Sequence, residues 1–239
     1  MPSDDLRAIN RLARSTALAA ALMGCAVGPA VSVGSTPPTS TPSTAATAPA
    51  TSDYRRLERE ILTELNAARS SPSAYSAHLS ELLPLFNGTL LRRPGSSVAV
   101  RTTEGAAAVR EAISALRNQA PVPTLTMNPS LSDAARELAT DQSRTGSVGH
   151  TASDGSTPAV RINRHGTWGV SYSENVGYGA FMSGRDVVVD LIVDDGVPNR
   201  GHRTNIFDPS ARVVGIACAR HATYGSVCVI DQVGSYVGK

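Results

Sequence analysis

The stretch Asp194–Phe207, DDGVPNRGHRTNIF, follows directly on the apolar run VVVDLIV at 187–193. Seven of its fourteen residues are charged, His or Asn, and Gly and Pro break it up. A continuous apolar run fits a buried helix or a buried strand equally well, and its periodicity alone does not separate them. The polar residues decide: Arg185, Asp186, Asp190 and Asp194 fall at helical spacing, which predicts a helix. That helix ends at two acids, Gly196-Val197-Pro198 makes a turn, and His202 is expected in a loop between turn and strand.

Downstream, ARVVGIACAR and YGSVCVIDQVGSYV are β-rich runs joined by HATYG, which reads as an antiparallel hairpin. Cys218 and Cys228 lie within it with nine residues between them, so a disulfide there would fix the pairing register. The alternative is two free buried thiols. Upstream, helical spacing predicts helices in YRRLEREILTELNAARSSP, with Leu57, Ile61, Leu62 and Leu65 on one face, and from about Ser73. Further helices are expected in EGAAAVREAISALRNQA, through Leu131–Leu138 after Asn128 or Ser130, and briefly around Val160 and Ile162. VSYSENVGYGAF reads as a strand or an irregular segment. Helices first, a mixed middle and terminal strands make an α+β pattern with a small antiparallel sheet.

The first 24 residues carry Arg7, Arg11 and Arg14 ahead of a short apolar run, the layout of an export signal, and the run is far too short to span a bilayer. Leu22-Met23-Gly24-Cys25 resembles a bacterial lipobox, so Cys25 is expected to be lipidated and to hold the protein to a membrane. Residues 25–52 are uncharged and rich in Pro, Thr, Ser and Ala, which predicts a tether with a reach on the order of 30 Å. The domain is expected over 53–239. The formal charge is +2 for the whole chain. With no basic stripe, nucleic acid is excluded as an expected partner. In an exported chain, Cys218 and Cys228 read as a disulfide.

Five histidines are available, and no HExxH, CxxC or GxSxG occurs. Two follow a Gly in turn-rich text, Gly149-His150 and Gly201-His202, with Glu174-Asn175 between them. Taken with Asn66-Ala67-Ala68-Arg69 before Pro72 and Tyr75, with Gly201-His202-Arg203-Thr204-Asn205-Ile206, and with Val214-Gly215-Ile216, this ordered set resembles the bacterial branch of the CAP superfamily, also called the SCP domain. The resemblance covers roughly 53–237.

It implies a three-layer α-β-α sandwich, a small and largely antiparallel central sheet covered by helices on both faces. It also implies one cleft holding His150, Glu174, Asp194 and His202. Where the family usually has Glu in a Trp-x-x-Glu helix, this chain reads Leu191-Ile192-Val193-Asp194, so Asp194 or Asp195 fills the second acidic position. Two imidazoles, His150 and His202, suit Zn or another divalent metal, with acidic neighbours fixing their tautomers. Arg203 is expected to neutralise Asp194 or Asp195.

The resemblance implies an exported protein of the cell envelope that binds a small apolar ligand or a peptide. The alternative is a metal-dependent, peptidase-like hydrolase in which Glu174 is the catalytic base beside a metal-bound water. A purely structural envelope role is the third reading.

Overall fold

A computed structural model describes residues 51–96 and 99–239. The expected export signal, Cys25 and nearly all of the tether lie outside the described residues. Helix α1, Thr51–Ser70, begins two residues inside the expected tether and carries Asp53 in its first turn, where a carboxylate favours the helix dipole. No described helix is long and apolar enough to cross a membrane.

α2, Pro72–Ser80, follows, and then three two-residue strands, β1 (Phe86–Asn87), β2 (Leu90–Leu91) and β3 (Val100–Arg101), pair antiparallel as a small separate sheet. Beyond α3, Ala106–Asn118, the strand β4 covers Thr126–Met127. α4, Pro129–Thr145, is capped by Asn128, whose side chain accepts the Leu131 N–H at 3.1 Å. α5, Pro158–His165, leads into the long strand β5, Gly166–Gly179. α6, Gly184–Val193, starts with a reciprocal Ser183–Asp186 capping box, confirming the helix expected from polar spacing. α7, Gly201–Ile206, and the strands β6, Val213–His221, and β7, Gly225–Gly238, complete the chain.

The central sheet runs β4-β6-β7-β5, with β4 parallel to β6 and the other pairings antiparallel. Period-two alternation along β7 sorts the two layers. Cys228 and Ile230 join Val214 and Ile216 under α1, α3 and α6. Val227 and Val229 pack with Ala217 and Val176 under Ala135, Leu138 and Ala139 of α4. Val233 meets Leu131, Ala134 and Ile162. Both faces are covered, as a three-layer α-β-α sandwich requires, and each fully buried Leu, Ile or Val contributes about 1.5–3 kcal/mol.

Two glycines let elements touch. A Cβ on Gly215 would stand 2.3 Å from the Leu131 carbonyl in α4, and one on Gly184 would stand 2.4 Å from the Glu60 carbonyl carbon in α1. The Val214-Gly215-Ile216 motif is therefore the point where α4 lies directly on the sheet. Cys218 and Cys228 are register partners on β6 and β7 and form the expected disulfide.

Candidate functional site

The expectation for residues 194–207 needs one correction. His202 stands not in a loop running to a strand but in the first turn of α7. Asp194 ends α6 with left-handed backbone (φ 56°), and Arg200 (φ 49°) precedes α7 in the same conformation. Non-glycine residues rarely adopt this region, and Asp tolerates it better than most. The two reversals turn α7 back against α6. The Arg200 side chain fixes the loop by donating to the Asp194 carbonyl (2.7 Å) while pairing with Glu104 (2.7 Å).

Within this frame Asp194 is buried, and one carboxylate oxygen accepts from the His202 backbone N–H (2.9 Å) while the other lies 2.6 Å from His202 Nδ1. A carboxylate only accepts, so the proton of this contact is carried by Nδ1. Asp195 turns away to accept the N–H groups of Thr103 (2.6 Å) and Glu104 (2.8 Å). The partner of His202 is thus Asp194. Arg203 pairs with Glu111 at 2.6 Å rather than with either aspartate, because its position on α7 points it toward α3.

The second histidine has a different setting. His150 Nδ1 lies 2.8 Å from Glu174 Oε1, and Glu174 Oε2 accepts from Arg161 Nη2 at 2.6 Å. Arg161 also donates to the carbonyls of Ser156 (2.7 Å) and His150 (3.1 Å). Arg161 and Glu174 are buried, while the His150 ring is half-exposed. The backbone at Gly149 is anchored by Gln142 (2.7 Å) and by the Tyr178 hydroxyl, which accepts the Gly149 N–H at 2.8 Å.

Glu174 and Asn175 are consecutive on β5, so they leave the strand on opposite sides. Glu174 meets α5, whereas Asn175 donates to the His202 carbonyl (3.1 Å) and accepts from Asn205 (2.7 Å) in α7. The Glu-Asn pair therefore serves both histidines: Glu174 directly at His150, Asn175 by holding the helix that carries His202.

Asn66 and Arg69 have a positioning role as well. Asn66 makes a two-way bond with the Leu125 backbone (3.0 and 2.7 Å), and Arg69, fully buried, donates to the carbonyls of Pro123, Ile206 and Ala211. Burial lowers the Arg69 guanidinium to about 10. It binds the end of α7 to α1.

Sequence reasoning missed two participants. Arg161 is one; its signal was an arginine between Val160 and Ile162 in a helix that buries positions 161 and 162. The other is Asp231, the register partner of Glu174 on β7. It is fully buried, and neither of its carboxylate oxygens meets a hydrogen-bond donor. Burial first, and then the facing Glu174, push its carboxyl well above the ordinary range, with Arg161 opposing. Its place in the apolar run VCVIDQV gave no sign of this.

A cavity of about 300 Å³ lies beside His202. Its walls include Phe86, Leu91, Val109, Phe181, Leu191 and Val193, together with the polar side chains of Asp194, His202, Arg93 and Asp190. His150 and Glu174 are not part of that wall. Trp168 and Tyr172 are not part of it either. They stack edge-on at 4.7 Å, with Trp168 against the Ile162–Val233 cluster. His78 is half-buried against Tyr75 rather than solvated.

Both Nδ1 atoms face a carboxylate, so a divalent metal at these histidines would be held through Nε2. Among the described residues no group of three or more His, Cys, Asp or Glu is placed to hold an ion. Nor is Glu174 a free base, since Arg161 and His150 occupy its two oxygens.

A family model described as the cysteine-rich secretory protein family matches residues 110–232. Comparison with curated protein sequences gives no match. Among solved structures, an extracellular protein containing an SCP domain from Bacillus anthracis aligns with a TM-score of 0.39 at 15% identity, over 48% of this chain and 35% of that one. An outer surface protein from Borrelia burgdorferi aligns with a TM-score of 0.39 at 19% identity, over 49% of this chain and 79% of that one. The chain thus spans about a third of the length of the Bacillus protein.

Proposed function

The chain belongs to the cysteine-rich secretory protein family, and on that footing we propose that it is an exported binding module whose cavity takes a small apolar ligand. The observation that carries this reading is the cavity itself: about 300 Å³, walled largely by aliphatic and aromatic side chains, with one oriented imidazole, His202, in its wall. Mostly apolar walls with a few fixed polar groups are the usual form of a small-molecule site. Export is supported by the Cys218–Cys228 disulfide, which persists in oxidising compartments. Attachment through a lipidated Cys25, with residues 25–52 as tether, completes the proposal; transfer of the protein from membrane to soluble fraction on Cys25→Ser is its test.

The binding reading is tested by titrating the purified protein with the neutral fluorophore N-phenyl-1-naphthylamine. Saturable one-site binding is expected, and it should be lost in Val193→Phe and Val109→Phe, which fill the cavity while circular dichroism reports the fold intact. Absence of saturable binding, or full binding in both filled variants, overturns the reading. The hydrolase alternative does not gain from the structure, because the proposed base is already bonded through both oxygens.

A further inference from the structure

We infer that the bulged start of β5 is a self-association surface, at which a second copy of this chain packs two-fold against Val170 and Tyr172. The inference is independent of the cavity.

Val170 carries it. β5 is an edge strand of the central sheet, and between Gly169 and Tyr172 its register slips against β7, so that Val170 and Ser171 together stand opposite Gly234. Val170 has φ 74°, the left-handed backbone that the first residue of such a bulge adopts and that glycine normally supplies. For a β-branched residue this conformation is strained. Gly234 makes room for it, since a Cβ there would stand 2.6 Å from the Val170 Cβ. Strain of this kind persists where surrounding contacts offset it, yet Val170 is 80% exposed. The contact that offsets it therefore lies outside the chain. Beside Val170, the exposed Tyr172 meets the half-exposed Trp168 edge-on, and Trp and Tyr are enriched at protein interfaces. The bulge breaks the strand edge, so side chains rather than a continued ladder make the contact.

The rim selects the occupant. Ser171 joins this stretch to the 208–212 turn, its Oγ 2.8 Å from Ser210 Oγ and 3.4 Å from Asp208 Oδ2. That turn carries one carboxylate and one exposed guanidinium. The Asp208 carboxylate accepts from Ser171 and Ser210, and Arg212 donates to the carbonyls of Pro209 and Ala211. Among the described residues neither forms an ion pair. An apolar centre with one charge of each sign at its rim is self-complementary about a two-fold axis, where Arg212 meets Asp208 of the partner subunit. A bilayer reached through the N-terminal segment fits this surface less well. α1 runs from Glu58, bonded at Cys218, to Arg69, bonded at Ala211 just before β6, whereas Tyr172 is level with Val233 and the start of β6. The chain therefore enters the domain at the opposite end of the sheet.

Self-association is measured by sedimentation equilibrium of the full chain carrying Cys25→Ser, from about 1 µM to about 1 mM, the range of a weak interface. A reversible monomer–dimer equilibrium is expected. Val170→Gly should weaken it about tenfold or more, while the thermal midpoint of the monomer, read at the lowest concentration, stays level or rises because glycine relieves the left-handed backbone. Arg212→Glu and Asp208→Lys should each weaken the dimer about tenfold or more, and mixing these two variants in equal amounts should restore it. The valine and the charge pair are read separately, so a variant that circular dichroism shows misfolded leaves the other to decide. A monomer across the whole range overturns the inference. So does a dimer that Val170→Gly leaves intact, or a midpoint that falls in that variant, which would place the role of Val170 in the fold. Charge variants that leave the dimer unchanged, or that fail to rescue each other on mixing, overturn it as well.

Discussion

Asp231→Asn should make the protein less sensitive to pH. Asp231 and Glu174 are cross-strand partners on β7 and β5, both buried, with a single cation, Arg161, bonded to Glu174. On its other side Asp231 faces Gly215 of β6, which α4 covers. Two carboxylates and one guanidinium in one dry pocket cannot all be charged at acceptable cost. The structure chooses which one is neutral. Glu174 has a donor on each oxygen, Asp231 has none, so Asp231 keeps its proton and can donate it toward Glu174.

The linkage has a definite sign. The folded-state pKa of Asp231 lies above its unfolded value, so between the two the folded protein binds more protons than the unfolded chain, and stability falls as pH rises. Each pH unit in that window removes about 1.4 kcal/mol. Asparagine has nearly the same shape, can donate its N–H to Glu174 and does not titrate. Subtracting wild type from variant cancels the histidines, which are common to both. In urea denaturation at pH 5, 6, 7 and 8, the variant should gain on wild type by up to about 1.4 kcal/mol per unit, levelling where Asp231 ionises in the fold. A difference that is flat across the range, or that moves the other way, would show a charged Asp231 and refute the argument.

Arg161→Met should cost about 3–5 kcal/mol in urea denaturation, because it leaves the buried Glu174 carboxylate without its cation; the loss should shrink in Arg161→Met/Glu174→Gln. Replacing Cys218 and Cys228 together by Ser should cost about 2–4 kcal/mol by the same assay. Gly215→Ala should lower the thermal midpoint by several degrees, since its methyl would stand 2.3 Å from α4 backbone. Added Zn²⁺ should leave that midpoint unmoved, because among the described residues no group of three or more His, Cys, Asp or Glu is placed to hold it.

The sandwich was legible because its elements are locally consistent. α3 buries Val109, Ile113 and Leu116 at helical spacing, as its sequence shows. The alternation Val227-Cys228-Val229-Ile230 predicts a strand buried on both faces and delivers Cys228 opposite Cys218. α6 was ambiguous by its apolar residues and was decided by its polar ones; Ser183 and Asp186, the residues of its capping box, are the local reason. α7 was not legible. It has only six residues, GHRTNI, with a single buried side chain, Ile206, too short for a periodic pattern. It exists because Arg69 and Asn175 bond its two ends from two other parts of the chain.

The site divides along the same line. Histidines, Glu174 and Asp194 stand out because polar residues in apolar or glycine-rich text are conspicuous. What each one bonds to is a matter of which strand face it leaves by and which helix crosses there. Consecutive residues on β5 illustrate it: the single step from Glu174 to Asn175 changes the partner from Arg161 to the backbone of His202. Arg161 and Asp231 escaped notice for the converse reason. Asp231 sits in an apolar run and Arg161 in a short helix that also carries Arg164 and His165, where a charge looks like a surface residue, and only the packing of α5 and β7 against β5 reveals that both are buried around one carboxylate. A lone charge in a run that the fold buries on both sides is therefore the feature to search for when a histidine–acid pair is suspected, because the carboxylate that orients the imidazole must itself be neutralised from within the core.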